Sequence, residues 1–245
     1  MDKVAIVTGS SRGIGEAIAL EFAMAGYSIV INSRNQEELS LSKQEIMRIA
    51  GSTVNILEFP ADISQEQSCI GIVKAAVQRF GRIDVLVNNA GISGAEKKSH
   101  EIMSGEWDEV IDINLKGCFM CSREVIKQML LQRENDTASD YSIINISSVH
   151  ETTPSPLTAP YAVSKGGMEM LTRTMALEVA DKGIRINGIA PGAIATMMNI
   201  DILQDEKKIE KKEKEIPIHR IGEPFEIAKV ALFLASNAAS CTLVS

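Results

Sequence analysis

The chain has 245 residues, the size of one large α/β domain, so a single domain over residues 1–245 is expected. Its residues are 45% hydrophobic and 23% charged, and no apolar run approaches the roughly 18 residues that span a membrane, which excludes disordered and membrane-spanning chains. With 25 Lys and Arg against 32 Asp and Glu, the net charge is −7, and its field repels nucleic-acid phosphates and anionic lipids. Nucleic-acid and membrane partners are therefore not expected.

The N-terminus and the cysteines indicate the setting of the protein. Met1 to Lys3 lead directly into a short apolar run, without the longer apolar region and cleavage site of a secretory signal, so a cytoplasmic location is expected. The four cysteines are too few for a disulfide scaffold in a chain of this length. Cys118 and Cys121 have CxxC spacing, but no second pair completes a zinc site, so no metal is predicted.

Short β-branched runs alternate with longer helical patterns in chain order. The runs predict strands at Val4 to Thr8, Ser28 to Asn32, Thr53 to Phe59, Asp84 to Asn88, Ser142 to Ser147 and Ile184 to Ala190. The helical patterns lie near residues 14 to 25, 36 to 50, 65 to 80, 107 to 131, 161 to 181 and 224 to 236. This alternation predicts an α/β fold of the Rossmann type, a doubly wound parallel sheet with helices on both faces. Trp107 opens the fourth helix and is expected to pack in the core.

A glycine-rich turn follows the first predicted strand. Its sequence is Thr8-Gly9-Ser10-Ser11-Arg12-Gly13-Ile14-Gly15, directly before an amphipathic helix. Glycines permit positive φ and close approach of backbone N–H groups to a pyrophosphate, and the positive end of the next helix favours that charge. The turn therefore predicts a phosphate-binding site.

The order of the motifs resembles the short-chain dehydrogenase/reductase family over nearly the whole chain. The turn is similar to the family's TGxxxGxG, Asn88 to Gly91 to its NNAG motif, and Tyr161 to Lys165 to its YxxxK motif. The resemblance implies an NAD(P)-dependent oxidoreductase with catalytic residues Asn114, Ser148, Tyr161 and Lys165. The cofactor-binding residues that it implies are Thr8, Gly9, Ser11, Arg12, Gly13, Ile14, Gly15, Ser33, Arg34, Asp62, Ile63, Asn89, Ala90, Gly91, Tyr161, Lys165, Pro191, Gly192, Ile194 and Thr196.

The catalytic residues suit proton transfer. Tyr161 and Lys165 are four residues apart at the start of a predicted helix, so their side chains share one face. A lysine ammonium nearby favours the phenolate and is expected to lower the tyrosine pKa toward neutrality. Ser148 would hydrogen-bond the reacting oxygen, and the resemblance implies that Asn114 holds a water on the proton path.

Charge at the end of the second strand bears on the choice of cofactor. A carboxylate there commonly bonds the ribose hydroxyls of NAD, whereas a 2′-phosphate requires arginine. Ser33 and Arg34 end this strand without an acid, and Arg12 lies in the phosphate turn. The sequence predicts a preference for NADP over NAD.

The substrate is less constrained than the reaction. The run from Ile144 to Glu151 and the YAVSKGGM stretch resemble glucose 1-dehydrogenases, which favours a sugar or polyol, with Ser148, His150 and Tyr161 as substrate residues. The segment from Ile92 to Lys98 does not show the glutamate that glucose-active relatives carry just past the glycine of this motif. Two alternatives remain: a 3-oxoacyl carrier-protein reductase or other carbonyl reductase, and a non-catalytic nucleotide-binding interaction protein.

The resemblance also concerns assembly. Family members continue past the last helix into a seventh strand, whereas this sequence ends with Cys241 to Ser245, so that strand is expected to be missing or vestigial. The family is oligomeric, and a homo-oligomer, a dimer or a tetramer, is expected.

Overall fold

Parallel strands form the centre of the computed structural model, which describes residues 2–136 and 139–242. Six strands lie in these ranges: β1 (Val4–Thr8), β2 (Ser28–Ser33), β3 (Ile56–Pro60), β4 (Val85–Asn88), β5 (Tyr141–Ile146) and β6 (Ile184–Ile189). They pair in parallel in the order β3-β2-β1-β4-β5-β6. The predicted Rossmann-type sheet is confirmed, and β3 begins three residues later than expected.

Helices cover both faces of the sheet, also as predicted. They are α1 (Gly13–Met24), α2 (Gln36–Ala50), α3 (Glu66–Phe80), α4 (Ser104–Ile111), α5 (Gly117–Arg133), α6 (Ala159–Val179), α7 (Ile200–Leu203), α8 (Glu206–Glu215) and α9 (Pro224–Ala235). One core packs α1, α2 and α9 against the sheet and contains Phe22, Leu39 and Ala231. The other packs α3, α5 and α6 against the opposite face and contains Ile72 and Met129.

The connection between α4 and α5 differs from the prediction of one helix over 107 to 131. A π-helical segment, Asp112–Lys116, separates the two helices and places Asn114 in the interior with no exposed surface. The core position predicted for Trp107 is wrong, because its side chain is 36% exposed. Val110 is the buried residue of the short helix α4, so the helix offers little interior space for the large indole.

At the far edge of the sheet, β6 pairs with β5 among the described residues. The predicted vestige of a seventh strand falls partly on Leu243 to Ser245, which lie outside those residues. Within residues 2–136 and 139–242, no helix is both long and apolar enough to cross a membrane. The same ranges contain no group of three or more His, Cys, Asp or Glu side chains that could hold a metal ion.

The sheet order creates a crevice at the carboxyl ends of β1 and β4. From β1 the chain crosses to β2 on one side, and β4 lies on the other side, so the connecting helices diverge between them. Ligands of open α/β sheets bind at such a switch point. Thr8 and Asn88 end these two strands, which places the glycine-rich turn beside the NNAG motif.

Candidate cofactor and active site

A cavity of about 490 Å³ opens at the carboxyl ends of the strands. Its volume lies within the range of roughly 300 to 1,000 Å³ that is usual for small-molecule sites. It extends from Ser33, Arg34 and Asp62 to Ser148 and Tyr161. Every predicted site residue lines it, except Thr8, Gly15, Asn114 and His150.

Close backbone packing explains the glycines of the turn. Gly9 and Gly13 both have φ of 63°, a backbone conformation that is strained for residues with a side chain. A Cβ on Gly15 would lie 2.3 Å from the Gly9 oxygen and 2.4 Å from Nδ2 of Asn89. The turn therefore cannot keep this shape with a side chain at position 15.

The NNAG motif holds the turn from the side. Asn89 Nδ2 donates to the backbone oxygens of Thr8 at 3.0 Å and Gly9 at 2.9 Å. In return, Thr8 Oγ1 accepts from the backbone N–H groups of Asn89 at 3.0 Å and Ala90 at 3.2 Å. Two motifs that are about 80 residues apart therefore form one rigid wall of the cavity, which accounts for the buried position of Thr8 behind it.

The helix end at this wall fits a pyrophosphate. Arg12 precedes α1 in an extended conformation, and no described side chain caps the helix N-terminus. Backbone N–H groups of the first turn have no partner within a helix, and the helix dipole makes this end positive. Because Gly13 and Ile14 line the cavity, the first turn of α1 can take the phosphates of a dinucleotide.

Tyr161 and Lys165 lie on the first turns of α6, where Pro160 sets the helix start. Lys165 is buried, and its Nζ donates a 2.8 Å hydrogen bond to the backbone oxygen of Ile146. The same Nζ lies 5.7 Å from the centre of the Tyr161 ring. The predicted pairing on one helix face is therefore present in the geometry.

The pKa shifts differ from the expectation. Burial lowers the pKa of Lys165 to about 8, so this side chain titrates close to neutrality. Burial raises the pKa of Tyr161 above its ordinary value, and the neighbouring Ser148 hydroxyl lowers it by less. The expected lowering of the Tyr161 pKa by Lys165 is wrong, because loss of solvation outweighs the favourable contacts of the phenolate.

Ser148 lies just after the carboxyl end of β5, on the side that faces Tyr161. It is 7% exposed, and its hydroxyl lies close enough to the Tyr161 side chain to lower the pKa of the phenol. Ser148 Oγ also accepts from the backbone N–H of His150 at 3.2 Å, which caps the short turn Val149–Glu151. Two hydroxyl groups therefore converge at one place on the cavity wall, as a carbonyl oxygen requires.

Asn114 lies behind the wall rather than in it. Its amide accepts from the Ile92 N–H at 2.8 Å and donates to the Ile92 oxygen at 2.9 Å, and to Ser164 Oγ at 3.1 Å. A Cβ on Gly91 would lie 3.2 Å from Asn114 Oδ1 and 3.8 Å from Lys165 Nζ. The amide therefore fixes the loop after the NNAG motif and approaches Lys165 across Gly91.

His150 is placed outside the cavity lining. Its Nδ1 lies 2.9 Å from the backbone oxygen of Thr153, and its ring meets that of Tyr161 edge-on at 6.1 Å between centres. These contacts orient the ring beside the catalytic tyrosine. Contact between His150 and a substrate stays a prediction.

At the opposite end of the cavity, Ser33 and Arg34 lie at the end of β2, as predicted. A carboxylate that sequence reasoning missed lies there as well. Glu38 of α2 lines the cavity, accepts from Ser11 Oγ at 3.2 Å and lies 3.5 Å from Arg12 Nη1. Its place on a helix, four residues beyond Arg34, separates it from the strand end, where a carboxylate commonly bonds the ribose hydroxyls of NAD.

Several residues that line the substrate side of the cavity belong to none of the sequence motifs. They come from the loop after Gly91, from the π-helical segment and from the loop before α7: Ser93, Ile113, Met197, Met198 and Asn199. Asn199 Nδ2 donates to the Ile194 oxygen at 2.7 Å, and Ile194 forms a parallel bridge with Gly222. The loop that carries the methionines is therefore held at both of these contacts.

Comparisons with known proteins agree with the fold. The family described as enoyl-(acyl carrier protein) reductase matches residues 9–243. Glucose 1-dehydrogenase 2 of Bacillus subtilis (strain 168) is 40% identical over 238 residues, 97% of this chain and 89% of the relative. The 3beta-hydroxysteroid dehydrogenase 1 of Eggerthella lenta is 41% identical over 97% of this chain and 88% of the relative. A 3-oxoacyl-(acyl-carrier-protein) reductase of Staphylococcus aureus is 39% identical over 98% of this chain and 93% of the relative.

Solved structures give the same result. Levodione reductase has a TM-score of 0.92 at 35% identity and covers 100% of this chain and 95% of its own. A 3-ketoacyl-(acyl-carrier-protein) reductase of Brucella melitensis, complexed with NADH, has a TM-score of 0.90 at 30% identity. The match covers 99% of this chain and 94% of that protein. Actinorhodin polyketide ketoreductase with NADPH has a TM-score of 0.90 at 29% identity, and the match covers 99% of this chain and 93% of that protein.

The chain belongs to the short-chain dehydrogenase/reductase family, as its motifs predicted. It is an NAD(P)-dependent oxidoreductase that interconverts hydroxyl and carbonyl groups. These findings favour the enzyme hypotheses over a non-catalytic nucleotide-binding protein.

Proposed function

We propose that this oxidoreductase prefers NADP(H) and acts on the hydroxyl or carbonyl group of a sugar or polyol. The observation that carries the catalytic part is the meeting of the Ser148 and Tyr161 hydroxyls at the cavity wall above the buried Lys165. Ser93 and Asn199 add polar groups to the same cavity, and these can bond further hydroxyls of a substrate.

When bound, the nicotinamide cofactor supplies or accepts the hydride. Tyr161 gives its proton to the carbonyl oxygen during reduction and takes it back during oxidation. Ser148 donates a hydrogen bond to that oxygen and stabilises the charge that develops on it. Lys165 exchanges the proton with solvent, through a water held beside the Asn114 amide.

The residues that hold the cofactor follow the length of the cavity. Gly9, Ser11, Gly13 and Ile14 would hold the pyrophosphate at the end of α1, and Gly15 and Thr8 keep that turn in shape. Asp62 and Ile63 would hold the adenine. The residues that would hold the nicotinamide half are Asn89, Ala90, Gly91, Tyr161, Lys165, Pro191, Gly192, Ile194 and Thr196.

The preference for NADP rests on two arginines. Arg12 and Arg34 line the cavity where the adenosine ribose would lie, and Ser33, the last residue of β2, lines it just before Arg34. A guanidinium group binds a phosphate through paired, charge-assisted hydrogen bonds. Relatives of known structure are described with NADH or with NADPH, so the preference is our proposal for this chain.

We also propose that the protein is a homo-oligomer. Val163, Met170 and Leu177 recur every seven residues along α6 and are 50%, 62% and 85% exposed. A stripe of this spacing lies on one helix face and is suited to packing against a second copy. Light scattering of the purified protein should give a dimer or tetramer, and Met170→Glu with Leu177→Glu should reduce the mass. A monomeric wild type would contradict this proposal.

A substrate panel tests the proposed activity. Aldoses, polyols, a simple secondary alcohol and a 3-oxoacyl thioester are assayed with NADP and NAD by cofactor absorbance. Oxidation of an aldose or polyol should exceed that of the simple alcohol, because an analogue without further hydroxyls would leave the polar groups of the cavity without substrate partners. His150→Ala should raise KM for the sugar more than for the simple alcohol.

A second candidate is reduction of a 3-oxoacyl thioester or another apolar ketone. Met197 and Met198 line the cavity, and their flexible thioethers suit an acyl or alicyclic surface better than a sugar. Efficient reduction of the thioester without measurable sugar oxidation would favour this candidate and overturn the sugar proposal.

A further inference from the structure

Glu38 places a carboxylate among the arginines that would receive a 2′-phosphate. Its Oε1 lies 3.5 Å from Arg12 Nη1, and its Oε2 accepts from Ser11 Oγ at 3.2 Å. Glu38 and Arg34 line the same cavity. The ribose end of the cavity therefore contains both positively and negatively charged side chains rather than cationic groups alone.

The helix that carries Glu38 is fastened to the phosphate turn. Asn35 caps α2 by accepting from the backbone N–H groups of Glu37 at 2.9 Å and Glu38 at 3.2 Å. One turn further along, Ser42 Oγ donates to the Ser10 oxygen at 2.9 Å, and Leu39 is fully buried. The backbone of Glu38 therefore cannot withdraw, and its carboxylate stays within reach of the cavity.

The two cofactors differ at the group that this carboxylate would meet. A 2′-phosphate carries a charge of about −1.5 to −2, which the Glu38 carboxylate repels, and both compete for Arg12. An unphosphorylated ribose presents hydroxyl donors, which a carboxylate accepts. The side chains of Arg12 and Glu38 are 64% and 41% exposed, so their ion pair is weak enough to open when a phosphate arrives.

We propose that Glu38 sets the ratio of NADP to NAD binding: its carboxylate weakens the hold of Arg12 on a 2′-phosphate and bonds the free ribose hydroxyls of NAD. The wild-type chain therefore binds both cofactors, with an NADP preference smaller than Arg12 and Arg34 alone would give. This inference rests on the proposed placement of the adenosine ribose at Arg12 and Arg34.

Fragment binding tests the inference without any turnover. The dissociation constants of 2′,5′-ADP and 5′-AMP are measured by calorimetry for wild type and for Glu38→Gln, which removes the charge and keeps the shape. The substitution should tighten 2′,5′-ADP by about five- to tenfold, the scale of one charge-assisted contact, and weaken 5′-AMP by about twofold. Raising the ionic strength to about 0.5 M should shrink the first difference, since salt screens exposed charges.

Glu37→Gln is the matched control, because Glu37 is the exposed neighbour on the same turn and is not part of the cavity lining. It makes the same change in net charge and should alter the ratio of the two constants by less than about twofold. Glu38→Ala, a second variant without the carboxylate, should shift the ratio in the same direction as Glu38→Gln.

Two outcomes would overturn the inference: an unchanged ratio in both Glu38 variants, or an equal shift in Glu37→Gln. A wild type that binds 5′-AMP more tightly than 2′,5′-ADP contradicts the NADP preference instead. In that case, tighter binding of 2′,5′-ADP relative to 5′-AMP in Glu38→Gln still supports the role of Glu38. The two failures are therefore distinguishable.

Discussion

The ammonium group of Lys165 lies 5.7 Å from the centre of the Tyr161 ring, one helical turn further along α6. It does not face the phenol alone, since its hydrogen bond goes to the backbone oxygen of Ile146. Burial lowers the pKa of Lys165 to about 8 and raises the pKa of Tyr161, so near neutrality the phenol is protonated. A protonated Tyr161 is ready to act as the acid in carbonyl reduction.

Tyr161→Phe should lower kcat by about 10² to 10⁴, because general acid–base transfer contributes on this scale and the ring otherwise stays in place. Dinucleotide affinity, measured by fluorescence titration, should change little. Tyr27→Phe removes a phenol from the core, where Tyr27 packs against Phe22, and serves as the control for activity. Retention of more than a few per cent of kcat in Tyr161→Phe would exclude Tyr161 as the acid.

The rate of alcohol oxidation should rise as the pH increases through about 8, the pKa of Lys165. Below that pH Lys165 is an ammonium and cannot take a proton from Tyr161, whereas above it the neutral amine can. Carbonyl reduction should change in the opposite direction. Lys165→Arg keeps its charge over this range and should lose the inflection in any residual activity. The same inflection in that variant would assign it to another group.

Lys165→Met should unfold at a higher temperature than wild type near neutral pH while losing activity. Below about pH 8 the folded chain must keep a buried ammonium, and this cost disappears as the pH rises past the ordinary pKa of 10.5. At about 1.36 kcal/mol per pKa unit the shift corresponds to roughly 3 kcal/mol, and the lost bond to Ile146 reduces the net gain to about 1 to 2 kcal/mol.

Denaturant unfolding at several pH values measures this gain. It should be largest below about pH 8 and should shrink toward pH 10.5. Lys229→Met changes an exposed lysine of α9 and should show no such dependence. A gain that stays constant with pH would mean that packing of the methionine, rather than removal of the buried charge, is responsible.

Gly15→Ala should abolish dinucleotide binding, because its Cβ would lie 2.3 Å from the Gly9 oxygen and push the phosphate turn out of shape. Gly105→Ala is the control, since a Cβ there meets nothing within 4 Å and alanine favours the helix. Titration with NADP and thermal unfolding report dinucleotide binding and folding separately. Intact binding in Gly15→Ala would show that the turn can rearrange at little cost.

The parts of the site that sequence predicted are those in which backbone shape dictates the residue type. Gly15 can only be glycine beside the Gly9 oxygen, and Asn89 must offer an amide to bond two carbonyl groups. Such demands leave a fixed spacing in the sequence. The β-branched runs of the buried parallel strands are visible for the same reason.

The parts that sequence did not predict depend on tertiary placement. The family resemblance implied Asn114 as a site residue, but not its interior position, which arises because a π-helical segment interrupts a pattern that predicts one helix. Glu38 reaches the cavity only because α2 is fastened to the phosphate turn, whereas the pattern of α2 alone marks an exposed acid. The pKa of Tyr161 depends on burial, which adjacent residues do not reveal.

Ser33→Asp combined with Arg34→Ala should convert the chain toward NAD. The change removes a guanidinium that lines the ribose end of the cavity and adds a carboxylate at the end of β2, where it can accept from ribose hydroxyls. NADP binding should weaken by about 1 to 3 kcal/mol, the scale of lost charge-assisted hydrogen bonds, and NAD binding should strengthen. Calorimetry with both cofactors measures the change, and Arg48→Ala on the far end of α2 controls for the loss of one positive charge. If the double variant still binds NADP as tightly as wild type, or if wild type has the higher kcat/KM with NAD, then Ser33 and Arg34 do not select the cofactor.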